Sequence, residues 1–175
     1  MKRVLWAALA LSFLPTVARA QDVPQAEVSV GGSFFYILSG FTIPMGGVSG
    51  SIAVNLNQWF GVVGDFGVYH GNPGASLTGE TYTFGPRFSY RKARRIVPFA
   101  QALFGGSHFS ASTSGISSSG SEFAFTIGGG LDIGLGKSQK FALRPQADYF
   151  GIRDFGSTTS VARLSMGIVY RIGKK

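Results

Sequence analysis

The 175-residue chain contains no cysteine. No disulfide can staple the fold, and no acceptor thiol follows the N-terminal apolar run, so the chain is not a lipoprotein. Acidic residues are scarce, 8 Asp and Glu against 16 Lys and Arg. Beyond the N-terminus no run approaches the ~20 apolar residues of a spanning helix. Periodic runs of helix formers are missing too, so neither a helical bundle nor a helical membrane span fits.

What is present begins with a secretion signal. Lys2 and Arg3 precede an apolar run, Val4 to Leu14, broken by Pro15 and followed by Ala18-Arg19-Ala20. This order is that of a cleaved signal peptide, predicting residues 1–20 as signal and 21–175 as one mature domain starting at Gln21. A retained anchor helix is the alternative, but the run is too short to span. The excess base gathers at Arg91-Lys92-Ala93-Arg94-Arg95, at Lys137 and Lys140, and at Lys174-Lys175, which read as turn or terminal positions. Export removes nucleic acid from the expected partners.

The mature chain alternates. In TYTFGPRFSYR, residues 81–91, Tyr82, Phe84, Pro86, Phe88 and Tyr90 fall on one face, and Thr83, Gly85, Arg87, Ser89 and Arg91 on the other. Successive side chains of a strand point to opposite faces, so this is a strand with one aromatic side and one small or charged side. Eight such runs follow from the pattern: Ala26 to Ile37, Val48 to Leu56, Phe60 to Tyr69, Thr81 to Arg91, Val97 to Ser107, Phe123 to Ile133, Phe141 to Gly151 and Ala162 to Ile172. Pro98 and a mixed pattern blur the parity of the fifth. Runs of ~9–11 residues suit tilted strands crossing a bilayer, and an even number suits a closed bacterial barrel. The breaks at Asn57-Gln58, Lys92 to Ile96 and Gly134 to Gln139 are short. Those at Leu38 to Gly47, Gly71 to Gly79 and His108 to Ser121 are longer, with Arg153 to Ser160 between. Short periplasmic turns and long outer loops put both termini in the periplasm. The stretch HFSASTSGISSSGS reads as a low-complexity outer loop.

Alternation also fits a soluble barrel with its grease inside. The apolar face, however, carries more large rings than an eight-stranded interior can hold. No Lys lies within a strand, whereas a soluble surface would be studded with Lys and Glu. Rings also collect at two levels, Phe60, Phe88, Tyr90, Phe99, Phe141 and Tyr170 at one and Tyr36, Tyr82, Phe123 and Tyr149 at the other, as membrane interfaces demand. The expected fold is therefore all-β, an eight-stranded antiparallel up-and-down transmembrane β-barrel. On its polar face each strand acid has a base on a neighbouring strand: Asp65 with Arg87, Asp132 with Arg144, Asp148 with Arg163, and Glu27 with Arg171 across the closing seam. Enclosed charges need partners, so these pairs are expected to plug the lumen; lumen water around unpaired charges is the alternative.

Residues 128–134 (GGGLDIG), 143–149 (LRPQADY) and 163–173 (RLSMGIVYRIG), together with 55–67 (NLNQWFGVVGDFG) and 84–91 (FGPRFSYR), resemble the small outer-membrane β-barrel proteins of the OmpA/OmpX-like group. The resemblance implies eight antiparallel strands, a Gram-negative outer membrane, contact with phospholipid and lipopolysaccharide, and insertion by the barrel assembly machinery. It does not imply one activity. Such barrels end on an aromatic residue, whereas Tyr170 is followed here by Ile172, Gly173 and two lysines; no peptidoglycan-binding domain is expected after the barrel. His108, Ser110 and Glu122 have a spacing similar to that of the lipid A deacylases, with Ala111 where those enzymes have Asn. Strand parity sends His108 and Glu122 to opposite faces, against a Ser–His–acid arrangement. His70 and His108 do not gather with carboxylates as a metal site requires, and Gly128-Gly129-Gly130 falls within a strand and relieves crowding there. No catalytic, cofactor-binding or metal residue is assigned. The expected role is a monomeric structural or surface-interaction barrel, with a narrow porin-like channel or a lipid A deacylase-like enzyme as alternatives.

Overall fold

The computed structural model describes residues 23–37, 43–71, 76–92, 95–113, 116–154 and 157–173. The expected signal peptide and its cleavage site lie outside the described residues. Eight strands follow in chain order: β1 (Ala26–Ile37), β2 (Ile43–Asn55), β3 (Phe60–Gly71), β4 (Ser76–Ser89), β5 (Ile96–Thr113), β6 (Ile116–Leu135), β7 (Phe141–Asp154) and β8 (Ser157–Ile172). Each pairs antiparallel with its neighbours, and β8 returns to β1, closing the barrel. The seam runs from Ala26↔Ile172 to Ile37↔Val161. Closure leaves no strand edge among the described strands, as a lipid environment requires.

The period of two dictates which side chains go where. Phe84 is 66% exposed, while Arg87, three residues on, is 1% exposed. Val30, Phe34, Val48, Phe66, Ile127 and Ile168 all face outward and are exposed; Glu27, Asp65, Asp132, Asp148, Arg144 and Arg163 face inward and are buried. This polarity is the reverse of a soluble globule and suits a barrel whose outside is solvated by acyl chains. Two outward glycines lie under aromatic rings: Gly106 packs beneath Tyr82 and Gly151 beneath Phe125, with no room for a Cβ. A ring folded over a glycine covers backbone that would otherwise be bare.

The strands begin where the alternation predicts but run further at one end. β5 and β6 pair continuously to Thr113↔Ile116, so the serine-rich stretch taken from sequence as a loop is a hairpin extension. The ladders β1–β2, β3–β4 and β7–β8 likewise reach Ile37↔Ile43, Gly71↔Leu77 and Asp154↔Ser157. The expected contrast between short turns and long loops is thus a contrast in strand length. Small polar residues obscure it, because they carry no hydrophobic alternation yet make the same backbone bonds. At the other end, the Asn57 side-chain oxygen accepts from the Trp59 and Phe60 amides at 2.9 and 2.8 Å and shapes the β2–β3 turn. Gly136 (φ 67°) and Gln139 (φ 50°) take left-handed conformations in the β6–β7 turn.

The parity of β5 is now defined. Val97, Phe99, Gln101 and Leu103 point inward and are buried, while Ile96, Ala100 and Phe104 point outward. Phe99, placed by sequence in an interfacial aromatic belt, belongs to the lumen.

Candidate functional site

The lumen is filled in three storeys. Nearest the chain termini, Arg91, just beyond β4, reaches over the mouth to Glu27 of β1 and Asn55 of β2, both at 2.9 Å. Arg144 of β7 grips Asp132 of β6 through two hydrogen bonds of 2.5 and 2.7 Å and extends its third nitrogen arm toward Ser51 of β2 at 3.4 Å. The arm that holds Asp132 also reaches Glu27 at 3.0 Å. Forked guanidinium–carboxylate contacts of this kind are geometrically specific.

Above lies a second network. Arg163 of β8 donates through Nε and Nη2 to Asp148 of β7 at 2.8 and 2.6 Å, and through Nη1 to Asp65 of β3 at 2.6 Å. Its Nη1 also meets the Tyr69 hydroxyl at 3.1 Å. Gln101 of β5 donates to Asp148 at 3.3 Å and accepts two bonds from Arg87 of β4, at 3.0 and 2.7 Å. The Phe99 ring lies between the guanidiniums of Arg87 and Arg144, at 4.5 and 4.8 Å from its centroid. The two networks together draw on all eight strands, so they brace the barrel across its bore as well as between neighbours.

The third storey is apolar. Phe35, Met45, Tyr69, Phe150, Ile152 and Val161 form a buried cluster toward the far end, with Leu77 and Phe109 packed against it. Phe35 stacks on Tyr69 at 4.4 Å and meets Phe150 edge-on at 5.4 Å. Below this cap, among Ser29, Ser49, Asp65, Arg144, Gln146 and Ser165, a cavity of about 20 Å³ remains. That is room for roughly one water.

Two of the four expected pairs form as read, Asp132 with Arg144 and Asp148 with Arg163. The others are corrected. Asp65 stands opposite Thr83, and Arg87 opposite Gly61, four residues along the strand. Asp65 therefore pairs across the bore with Arg163, and Arg87 takes a neutral partner, Gln101. Glu27 does stand opposite Arg171, but its carboxylate turns inward to Arg91 and Arg144, while Arg171 donates to the Gln139 carbonyl at 3.3 Å. Sequence reading treated the strands as pairs of neighbours and missed contacts across the bore. It also missed the apolar cap, although Phe34-Phe35-Tyr36 and Tyr149-Phe150 signal it by placing large apolar groups on both faces.

The deacylase-like constellation does not assemble. His108 stands opposite Ser121 on the outward face and meets its hydroxyl at 2.9 Å, whereas Glu122 stands opposite the inward Ser107. Ser110 shares the outward parity of His108, so the acid is on the wrong side of the sheet from both. His70 meets Thr78 at 3.3 Å on the outward face. Among the described residues no group of three His, Cys, Asp or Glu gathers to hold a metal ion.

Comparison with known proteins agrees with this architecture. The family profile of the outer membrane protein beta-barrel domain matches residues 6–171. No curated protein matches significantly. Among solved structures, Neisserial surface protein A is similar with TM-score 0.73 at 12% identity, covering 89% of this chain and 100% of its own. Ail, the attachment invasion locus protein of Yersinia pestis, gives 0.63 at 20% identity, covering 86% and 99%. A second Ail structure, in complex with the heparin analogue sucrose octasulfate, gives 0.63 at 19% over the same shares. At these identities the likeness is one of fold.

Proposed function

The chain belongs to the outer membrane protein beta-barrel domain family, and from that premise we propose that it serves the outer membrane as a structural or surface-interaction barrel, without catalysis and without a conducting pore. The observation that carries this reading is the filled bore. Two ion-pair networks cross it, and the cap of Phe35, Tyr69 and Phe150 lies over them. A hydrated ion needs a continuous polar path, and an apolar constriction dewets. The narrow-channel alternative rests on the one-water cavity beside Ser29 and Ser165. The lipid A deacylase-like alternative lacks Glu122 on the face of His108 and Ser110; the outward acid across from His108 is Glu80 of β4, while the imidazole Nδ1 meets the Ser121 hydroxyl.

The surface role is narrowed by charge. At the end away from the termini, among the described residues, the base is Arg153 and the acids are Glu80, Glu122 and Asp154. A polyanion such as the heparin analogue bound by Ail finds little to hold there; an uncharged or apolar partner fits better. The remaining parts of the reading are cleavage after Ala20, both termini in the periplasm, a monomer surrounded by phospholipid and lipopolysaccharide, and insertion by the barrel assembly machinery.

Planar-bilayer recording of the purified, heat-modifiable barrel should give no resolved current steps, and expressing cells should keep an unchanged lipid A mass. Steady unitary currents would replace this reading with the channel. A lipid A mass shift abolished by Ser110→Ala would replace it with the enzyme.

A further inference from the structure

The end of the barrel that carries both termini is electrically lopsided. Lys92 and Arg95 lie in the β4–β5 connection, and Lys137 and Lys140 flank the β6–β7 turn; all four are exposed. The acids at that end among the described residues, Glu27 and Asp132, are buried and already paired with arginines. The β2–β3 turn is uncharged and carries Trp59 instead, stacked on Phe88 at 5.9 Å. The four bases therefore form an arc over β4 to β7 with no exposed acid at that end among the described residues.

Their neighbours fix the level at which they sit. Each base lies one or two residues from an outward apolar residue at a strand end: Lys92 from Tyr90, Arg95 from Ile96, Lys137 from Leu135, and Lys140 from Phe141. Those four apolar residues are all exposed to the barrel's surroundings. Lys92 Nζ lies 5.8 Å from the Tyr90 ring centroid. An ammonium beside the last lipid-facing ring is held where acyl chain gives way to headgroup, with its stem along the apolar surface.

We propose that this arc is a docking surface for anionic phospholipid headgroups of the leaflet at the terminal end. The inference rests on the reading of the chain as a membrane barrel with periplasmic termini, and adds to it a selectivity among lipids. The chemistry recognised is a phosphodiester lacking a compensating cation in its headgroup. Four spaced, flexible bases collect several such headgroups electrostatically rather than cradle one. Salt screens a contact of this kind.

Native mass spectrometry of the folded barrel in nonionic micelles doped with phosphatidylglycerol or phosphatidylethanolamine tests it. The proposal expects more phosphatidylglycerol retained, a preference that fades with added salt. Joint Lys92→Gln, Arg95→Gln, Lys137→Gln and Lys140→Gln substitution should reduce that preference by at least about tenfold. Arg153→Gln, which removes an exposed base from the opposite end, should leave it intact. Only protein with heat-modifiable mobility is scored, so loss of the barrel is not mistaken for loss of the lipid; if the fourfold variant does not fold, the Lys137→Gln, Lys140→Gln pair is read instead. Equal retention of the two lipids overturns the proposal, as does a preference that survives the arc substitutions or falls equally with Arg153→Gln. Binding to isolated peptidoglycan without lipid preference would assign the arc to the cell wall and overturn it too.

Discussion

Arg163 and Arg87 both point into the bore and are sealed from solvent, yet their surroundings differ in kind. Arg163 sits between two carboxylates, Asp65 and Asp148, each at 2.6 Å. Arg87 has an amide oxygen and an aromatic face, and its Nη1 meets no hydrogen-bond partner among the described residues. Removing Arg163 strands two buried anions, whereas removing Arg87 strands one neutral acceptor. Arg163→Met should therefore cost about 3–5 kcal/mol, and Arg87→Met about 1 kcal/mol, in urea unfolding of the vesicle-inserted protein followed by heat-modifiable mobility. Equal losses would contradict the distinction. A double-mutant cycle on Asp148 and Arg163 should show strong coupling, and no coupling would dissolve the pair. Which charged residues of the strands enter the bore was legible from parity alone; which carboxylate each arginine takes was not. The bore is narrow enough for a side chain to reach a strand several positions away, and sequence offers no measure of that distance.

Among the strands, the alternation located all eight and failed chiefly at their far ends. Tyr82, Phe84 and Phe88 define β4 clearly, but Ser76 to Glu80 continue it without a hydrophobic rhythm. The same holds for β5 and β6, where Ser110, Ser119 and Ser121 sit in a ladder extending beyond the apolar belt. Phe99 misled because Pro98 blurs the rhythm and both faces of β5 carry apolar groups. A ladder above the lipid contributes little to the stability of what lies within it. Deleting residues 111–118 and joining Ser110 to Ser119 should leave the barrel's unfolding free energy within about 0.5 kcal/mol, the range of substitutions away from core features. A loss of several kcal/mol in the same urea titration would show that the hairpin tip supports the apolar cap through Phe109.

The molecule as a whole is closed in two senses, around its wall and across its bore. Wall closure was legible from an even number of strands and from a seam that sets Glu27 opposite Arg171, a register that held although the expected ion pair did not form. Closure across the bore was legible only in part, since the polar layers announced themselves as charges on the small-residue face and the apolar cap did not. The seam itself carries a further consequence. Because β1 and β8 zip together along their length and the Gln25 amide bonds the Ile172 carbonyl at 2.9 Å, the start of the first strand and the end of the last are structural neighbours, and the wheel of strands has no privileged first spoke. A circular permutant with a short linker from Val23 to Gly173 and new ends cut between Ser114 and Gly115 should regain heat-modifiable mobility in lipid. It should do so more slowly or faster according to which pairing then becomes the most distant along the chain, since the order of threading, rather than the finished contacts, is all that permutation alters.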